Sequence, residues 1–461
     1  MKKALLLLCL AAELISCTKE TFDVNKEDAV GIPMTFNFSV ADTKAAKTNW
    51  ANTDKIYVFF NGLATKYLIL EYDGSSWSNT SGGGTLLSTD FDGLGVTTLT
   101  AIHFPIAVDV AYADSKFSFT SGGKPVYNYY LYETGKAYTL DGTTVTASLA
   151  MGKPAGFTQI HIAGIEASVE DYTFGCSLIR PVACKSVGTD GTITESVLQA
   201  GARLSGVADA DGGIFAGRLT SPDVAANYIF TLASDDNIYT LTRDSKTLTA
   251  GKMYNFPSPS VTGGANWAVT AASDLYVDLG LSVKWAKYNV GAALESDYGN
   301  FYAWGELLSK GAYEWSTYCY GMSATSITKY CNNSSYGKNG YTDALTILEK
   351  CDDVSYATLG GKFRMPTEAE WSELISNCTW ITTTLNGNNV RQATSTKAGY
   401  TDKFIYLPTN PSDVGYAYYW TSSLGTAPDD GIIAYVYSYK KAYMIGRGSR
   451  YESCVIRPVS D

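Results

Sequence analysis

A mostly β architecture is what this sequence predicts, on three grounds. Tyr (34) and Gly (43) are abundant while charged residues make up only 17% of 461 positions, a balance that suits pleated, half-buried surfaces joined by tight turns. Apolar and polar residues alternate in short runs that recur roughly every ten residues. Between the runs stand hairpin signals, such as Asp73-Gly74, Asp141-Gly142 and the tract Gly82-Gly83-Gly84. The length allows two or three domains.

Taken in order, the first run is Met34-Thr35-Phe36-Asn37-Phe38-Ser39-Val40, which puts Met34, Phe36, Phe38 and Val40 on one face. Lys55 to Phe60 and Tyr67 to Tyr72 read as the next strands, after Trp50. A second series begins near Leu149. It includes Gln159-Ile160-His161-Ile162-Ala163, Tyr228 to Leu232 and Tyr239 to Thr242, and it closes at Leu248 to Phe256. The Ser/Pro/Gly-rich stretch 259–273 reads as a linker.

A net charge of −10 argues against nucleic acid, whose phosphates need Lys and Arg. The two histidines, His103 and His161, sit in strand patterns without a nearby Cys, Asp or His in sequence, so a structural role is expected for each. No Cys-x-x-Cys pair occurs, which leaves zinc ribbons and thioredoxin-like chemistry unsupported. Cys176 with Cys184, or two of Cys319, Cys331, Cys351, Cys378 and Cys454, could pair; buried thiols are the plainer expectation.

The N-terminus carries a processing pattern. Lys2 and Lys3 precede an apolar run from Ala4 to Ala12, too short to span a bilayer, and Leu14-Ile15-Ser16-Cys17 follows. This resembles a bacterial lipobox. The resemblance implies a leader over 1–17, acylation of Cys17 and, through 18–30, a polar tether; the destination is the outer membrane, with surface exposure.

Two further resemblances are carried by motifs. Trp50 with Asp54, Ile56 and Val58, then Leu248, Ala250, Gly251, Lys252 and Tyr254, resemble fimbrillin-like lipoproteins. That family implies two tandem transthyretin-like β-sandwiches, assigned to 31–145 and 146–258. Its members include pilus subunits and non-polymerising surface lipoproteins. Near 30–50 the only basic candidates for processing are Lys44 and Lys47, with no arginine site.

The stretch 274–461 resembles the Fibrobacter major paralogous (FISUMP) domain, of C-type-lectin-like α+β fold. The carriers are Asp278-Leu279-Gly280-Leu281-Ser282-Val283-Lys284-Trp285-Ala286, Tyr302-Ala303-Trp304-Gly305-Glu306, Phe363-Arg364-Met365-Pro366-Thr367, Tyr419-Trp420-Thr421-Ser422-Ser423 and Val455-Ile456-Arg457-Pro458-Val459. Independently of that likeness, Thr367 and Glu370 have capping-box spacing, and Trp371, Leu374 and Ile375 give a short amphipathic helix.

Catalysis is not expected. Formylglycine-generating relatives need a cysteine pair, and Cys454 has no close partner in sequence; Glu368 and Glu370 point to different helix faces. Trp420-Thr421-Ser422 lacks the carboxylate of a calcium-lectin triplet. What stands out is an aromatic and cationic run. Trp420, Tyr435, Tyr437, Tyr439, Lys440, Tyr443, Arg447, Arg450 and Tyr451 are the expected ligand contacts, with 438–450 read as a loop. The chain is therefore expected to be a lipid-anchored adhesin or display protein that binds an extracellular protein or glycan. The alternative is a fimbrial anchor or tip subunit that meets other fimbrial subunits. Neither a cofactor nor a metal is expected.

Overall fold

The computed structural model describes residues 20–21, 34–41, 49–80, 82–95, 97–141, 144–259, 267–410, 415–437 and 443–461. The expectations for the leader and Cys17, for most of the tether, and for Tyr439 and Lys440 lie outside these residues. Among the described residues the chain is mostly β, in sheets whose pairings are largely antiparallel. Within the expected tether, Glu20–Thr21 is a short strand beside Asn37 and Phe38.

The chain forms two compact units, one of residues 1–155 with 184–195, the other of 156–183 with 196–461. In the first, Met34–Val40 runs parallel to Thr144–Met151, so the opening and closing strands lie side by side. Alternation does the work: Met34, Phe36 and Phe38 are buried, as are Val145, Ala147, Leu149 and Met151. A five-stranded sheet carries Lys55–Phe60 at its centre, between Leu68–Tyr72 and Thr98–His103. Phe38 and Trp50 both meet Trp77 edge-on, at 5.3 and 5.2 Å. His103 is buried against Trp50 with Nδ1 2.9 Å from the Lys55 carbonyl oxygen, a structural setting. The strand Val182–Gly188 pairs with Lys116–Thr120, so residues 184–195 complete a sheet of this unit although they lie well downstream in sequence.

The second unit repeats the parallel device: Phe157–Ala163 pairs with Met253–Phe256, again the first and last strands of their series. The far end of the expected linker is not a linker. Ala268–Ala271 adds a strand beside Asn237–Thr240, and a 3-10 turn over Ala272–Leu275 follows.

Beyond residue 274 the last strand returns to a strand near the start of this stretch. Lys284–Ala286 pairs with Val459–Ser460, which also pairs with Phe363–Arg364. Two three-stranded sheets follow, one of Cys378–Leu385, Asn388–Ser395 and Phe404–Pro408, the other of Tyr416–Leu424, Asp430–Tyr437 and Tyr443–Ser449. The last strand corrects the loop expected over 438–450. The helix Glu368–Ser376 starts at Thr367 with the expected capping box, and it buries Trp371 and Leu374. Trp371 lies 4.8 Å from Trp285 and 5.2 Å from Tyr419, ring centre to centre, which anchors the helix to both a short strand and the terminal sheet.

This module is bound to the second sandwich through buried polar contacts. The Gln199 amide donates to the Gly305 carbonyl at 2.8 Å, to the Tyr320 hydroxyl at 2.7 Å and to Asp352 at 3.0 Å. Arg203, buried so deeply that its pKa is drawn down to about 10, donates to the Ala357 carbonyl at 3.0 Å. Gly360 ends the helix Val354–Leu359 at φ +68°, and a Cβ there would lie 2.5 Å from that of Ala233.

Candidate functional site

The terminal sheet presents an aromatic lattice. On Tyr416–Leu424 the inner positions Ala417 and Tyr419 are buried, which turns Tyr416 and Tyr418 outward. On Asp430–Tyr437, Ala434 and Val436 are buried and Tyr435 and Tyr437 turn outward. Antiparallel register places Tyr416 opposite Tyr437 and Tyr418 opposite Tyr435. The four rings follow: stacked along each strand at 6.2 and 6.3 Å, edge-to-face across strands at 5.0 and 5.4 Å. All four are half-buried, so the face stays reachable while each ring is held by its neighbours. The Tyr435 hydroxyl donates to the Arg447 carbonyl at 3.0 Å, which ties the lattice to the last strand.

Beside Tyr418 and Tyr435 opens a cavity of about 360 Å³, lined also by Tyr313, Ile433, Glu452, Ser453 and Cys454. Burial raises the Glu452 carboxyl above its usual pKa; the Ser449 amide opposes this and Asp430 adds to it. Burial likewise drives the Cys454 thiol well above its ordinary value, with the Glu452 charge acting in the same direction. The buried sulfur meets the cleft as a small apolar surface. The cleft thus offers ring faces, a hydroxyl and a desolvated carboxyl.

The expected contacts divide. Tyr435 and Tyr437 are in the lattice and Arg447 is exposed. Tyr451 is half-buried against Trp315 at 5.1 Å. Tyr443 begins the last strand. Trp420 and Arg450 are corrections, since neither exposes surface. Trp420 is in the core, with Nε1 donating to the Tyr302 carbonyl at 2.9 Å. Arg450 donates to the carbonyls of Pro428, Lys329 and Tyr330 and to the Tyr318 hydroxyl, at 2.9 to 3.1 Å, with its guanidinium 4.8 Å from the Trp304 ring centre. Tyr416 and Tyr418 stand just before Trp420 in the sequence, but their pairing with Tyr437 and Tyr435 depends on register. Glu452 and Tyr313 gave no sequence signal.

Most other chemistry-bearing groups are occupied. The described cysteines are all free thiols, so neither suggested pairing forms. Burial alone would raise the Glu370 pKa, but hydrogen bonds from Arg364 and Thr367 outweigh it and hold the carboxyl below its usual value. Asp352 accepts from Tyr330 and Lys329, each at 2.6 Å, and from Tyr320. His161 departs from its expected isolation: Asp209 and Asp211 stand against it. Among the described residues no helix is long and apolar enough to cross a membrane.

No protein-family model matches this chain, and no curated protein matches it. Solved structures are faintly similar. A fimbrial protein from Bacteroides ovatus is 11% identical over 94% of this chain and 100% of its own, with a TM-score of 0.27. The fimbrial anchor protein of Porphyromonas gingivalis is 10% identical over 51% of this chain and 94% of its own, with a TM-score of 0.24. Scores this low leave the function to be argued from the chain's own residues.

Proposed function

We propose that this chain is a surface lipoprotein, acylated at Cys17, whose terminal module binds an extracellular ligand through the tyrosine lattice and its adjoining cleft. The observation that carries the reading is the four-ring lattice of Tyr416, Tyr418, Tyr435 and Tyr437, preorganised by ring-to-ring contacts and left half-open. Rigid aromatic faces lose little conformational entropy on binding, so their contact area converts efficiently to affinity. A glycan is the favoured ligand. Its apolar ring faces suit tyrosine rings, and its hydroxyls suit Glu452 and Ser453 in the cleft. The FISUMP resemblance supports a lectin-like module for residues 274–461, and the fimbrillin-like resemblance supports two β-sandwiches that precede it in the chain.

Binding outranks catalysis because the thiol nearest the cleft is held neutral and the capping glutamate is committed to Arg364. Binding also outranks service as a pilus subunit. A subunit that takes a strand from a neighbour needs an open groove, and Met34–Val40, which lies in its own sheet with Met34, Phe36 and Phe38 buried, would first have to be lost; Lys44 and Lys47 are the only basic processing candidates near it. The test is an array of glycans probed with residues 18–461, beside the Tyr418→Ala/Tyr435→Ala variant. Saturable binding lost in the variant supports the reading. Absence of glycan binding, with co-purification of the native chain with fimbriae, would replace it with the anchor or tip role.

A further inference from the structure

A second cluster of chemistry-bearing side chains gathers around His161. His161 is on Phe157–Ala163, opposite Ile214 on one side and Asn255 on the other. Its residue is 8% exposed. The buried Nε2 has no hydrogen-bond partner. A buried ring nitrogen in that state is costly unless something else meets it. What faces it is a pair of carboxylates on the turn before Gly212–Leu219. Asp211 Oδ1 is 3.0 Å away, too poorly directed for a hydrogen bond, and Asp209 Oδ2 is 4.0 Å away.

The turn is fixed by its backbone and not by the histidine. The Asp209 amide donates to the Gly212 carbonyl at 2.8 Å, and the Gly164 amide donates to the Asp211 carbonyl at 2.7 Å. Gly212 leaves room for the ring, since a Cβ there would lie 2.6 Å from Nε2. The three ligand atoms lie within 4.8 Å of one another. Donor atoms around a tetrahedral zinc are roughly 3.3 Å apart, given metal–ligand lengths of about 2.0–2.1 Å. The spacing here brackets that figure, and the aspartates, Asp209 half-buried and Asp211 exposed, can adjust around a fixed imidazole.

We infer that His161, Asp209 and Asp211 hold a divalent transition-metal ion, zinc by preference, with water completing the coordination. One imidazole and two carboxylates suit zinc, whereas calcium calls for six to eight oxygens and seldom an imidazole. The only other such grouping among the described residues, Glu349 with Cys351 and Asp352, is already filled by a cation: the Lys329 ammonium lies 2.8 Å from Glu349 and 2.6 Å from Asp352. The ion joins the turn to an interior strand of its sheet, beside the exposed side chain of Asp211.

The experiment is titration of chelator-stripped chain, residues 18–461, with zinc chloride alone by calorimetry, and with cobalt chloride followed by visible absorption. One equivalent of zinc should bind, and cobalt should give a ligand-field band. His161→Gln and Asp211→Asn should each weaken binding about tenfold or more, the scale on which even outer partners of metal ligands act. Asp211 has an exposed side chain, so its variant should keep the fold if His161→Gln does not. Glu349→Gln should bind as the parent does. No heat and no band, or equal binding by Asp211→Asn, would overturn the site and leave a His–Asp ion pair or an adventitious ion only.

Discussion

Arg450→Met asks whether Arg450 is a core residue or a ligand contact. In the structure the guanidinium satisfies three backbone carbonyls and the Tyr318 hydroxyl, and stacks on Trp304. Methionine fills much of the volume but donates nothing. The carbonyls of Lys329, Tyr330 and Pro428 then lose a buried donor, at about 1–3 kcal/mol each. Relief of the guanidinium's own desolvation offsets part of this, so the net loss should be about 3–5 kcal/mol, the upper range for breaking a buried hydrogen-bond network. For a module of this size that corresponds to a fall of roughly 6–20 °C in its unfolding midpoint. The assay is thermal unfolding of residues 18–461 followed by tryptophan fluorescence, because Trp304 lies against the lost group. The reasoning fails if Arg450→Met melts within about 2 °C of the parent yet loses ligand, which is the outcome for a surface contact.

Four further outcomes follow from the same geometry. Thr367→Ala removes the cap of Glu368–Ser376 and should cost about 1 kcal/mol in denaturant unfolding. Gly431→Ala places a Cβ 2.8 Å from Trp420 and 2.9 Å from Trp304, and should cost about 1–3 kcal/mol by overpacking, measured the same way. Asp353 is raised to about 6 by burial, against the amides of Met365, Tyr356 and Ser355. The native chain therefore holds a proton between about pH 4 and 6 that the unfolded chain releases, so this group's contribution is full below pH 4 and declines as pH rises through 6, by at most about 3 kcal/mol. Urea midpoints of Asp353→Asn should lack that slope, and an unchanged slope would refute the assignment. Tyr418→Phe and Tyr435→Phe should leave the ring contacts in place, whereas the alanine variants should show about 0.5–1.5 kcal/mol of coupling in a double-mutant cycle of stability.

Local signals were the legible ones. The alternation of Met34, Phe36 and Phe38 and the Thr367–Glu370 spacing depend on a few neighbouring residues, and both recur in the structure. Signals fail where a distant partner decides. Tyr443–Ser449 holds Gly446 and Gly448, which read as a loop; the strand exists because Ile432 to Val436 supply its ladder. Arg450 and Trp420 have the composition of recognition residues, and only the fold shows that Trp304, Tyr318 and Tyr302 enclose them. His161 and Asp211 are separated by several strands, including residues 184–195 of the other unit, so no spacing rule brings them together. The return of residues 184–195 to the first unit is another non-local pairing, with Lys116–Thr120, that periodicity does not encode.

The connection beneath the tyrosine face bears on how it can act. A display module on a loose linker would sample orientations and lose that freedom on every contact. Here Ala268–Ala271 is hydrogen-bonded into the second sandwich's sheet, Gln199 reaches three groups of the terminal module, and Arg203 spends one of its donors on Ala357. Lys329, Tyr320 and Tyr330 converge on the Asp352 that Gln199 touches, and Arg450 holds the carbonyls of Lys329 and Tyr330 in turn. The sandwich, the buried aspartate and the arginine at the end of the terminal sheet thus form one chain of satisfied polar contacts. Such a chain resists partial opening, because breaking any member leaves a buried group without its partner. For the proposed ligand such a mount fixes the angle of approach, and substitution of Gln199 is expected to alter binding without touching the ligand.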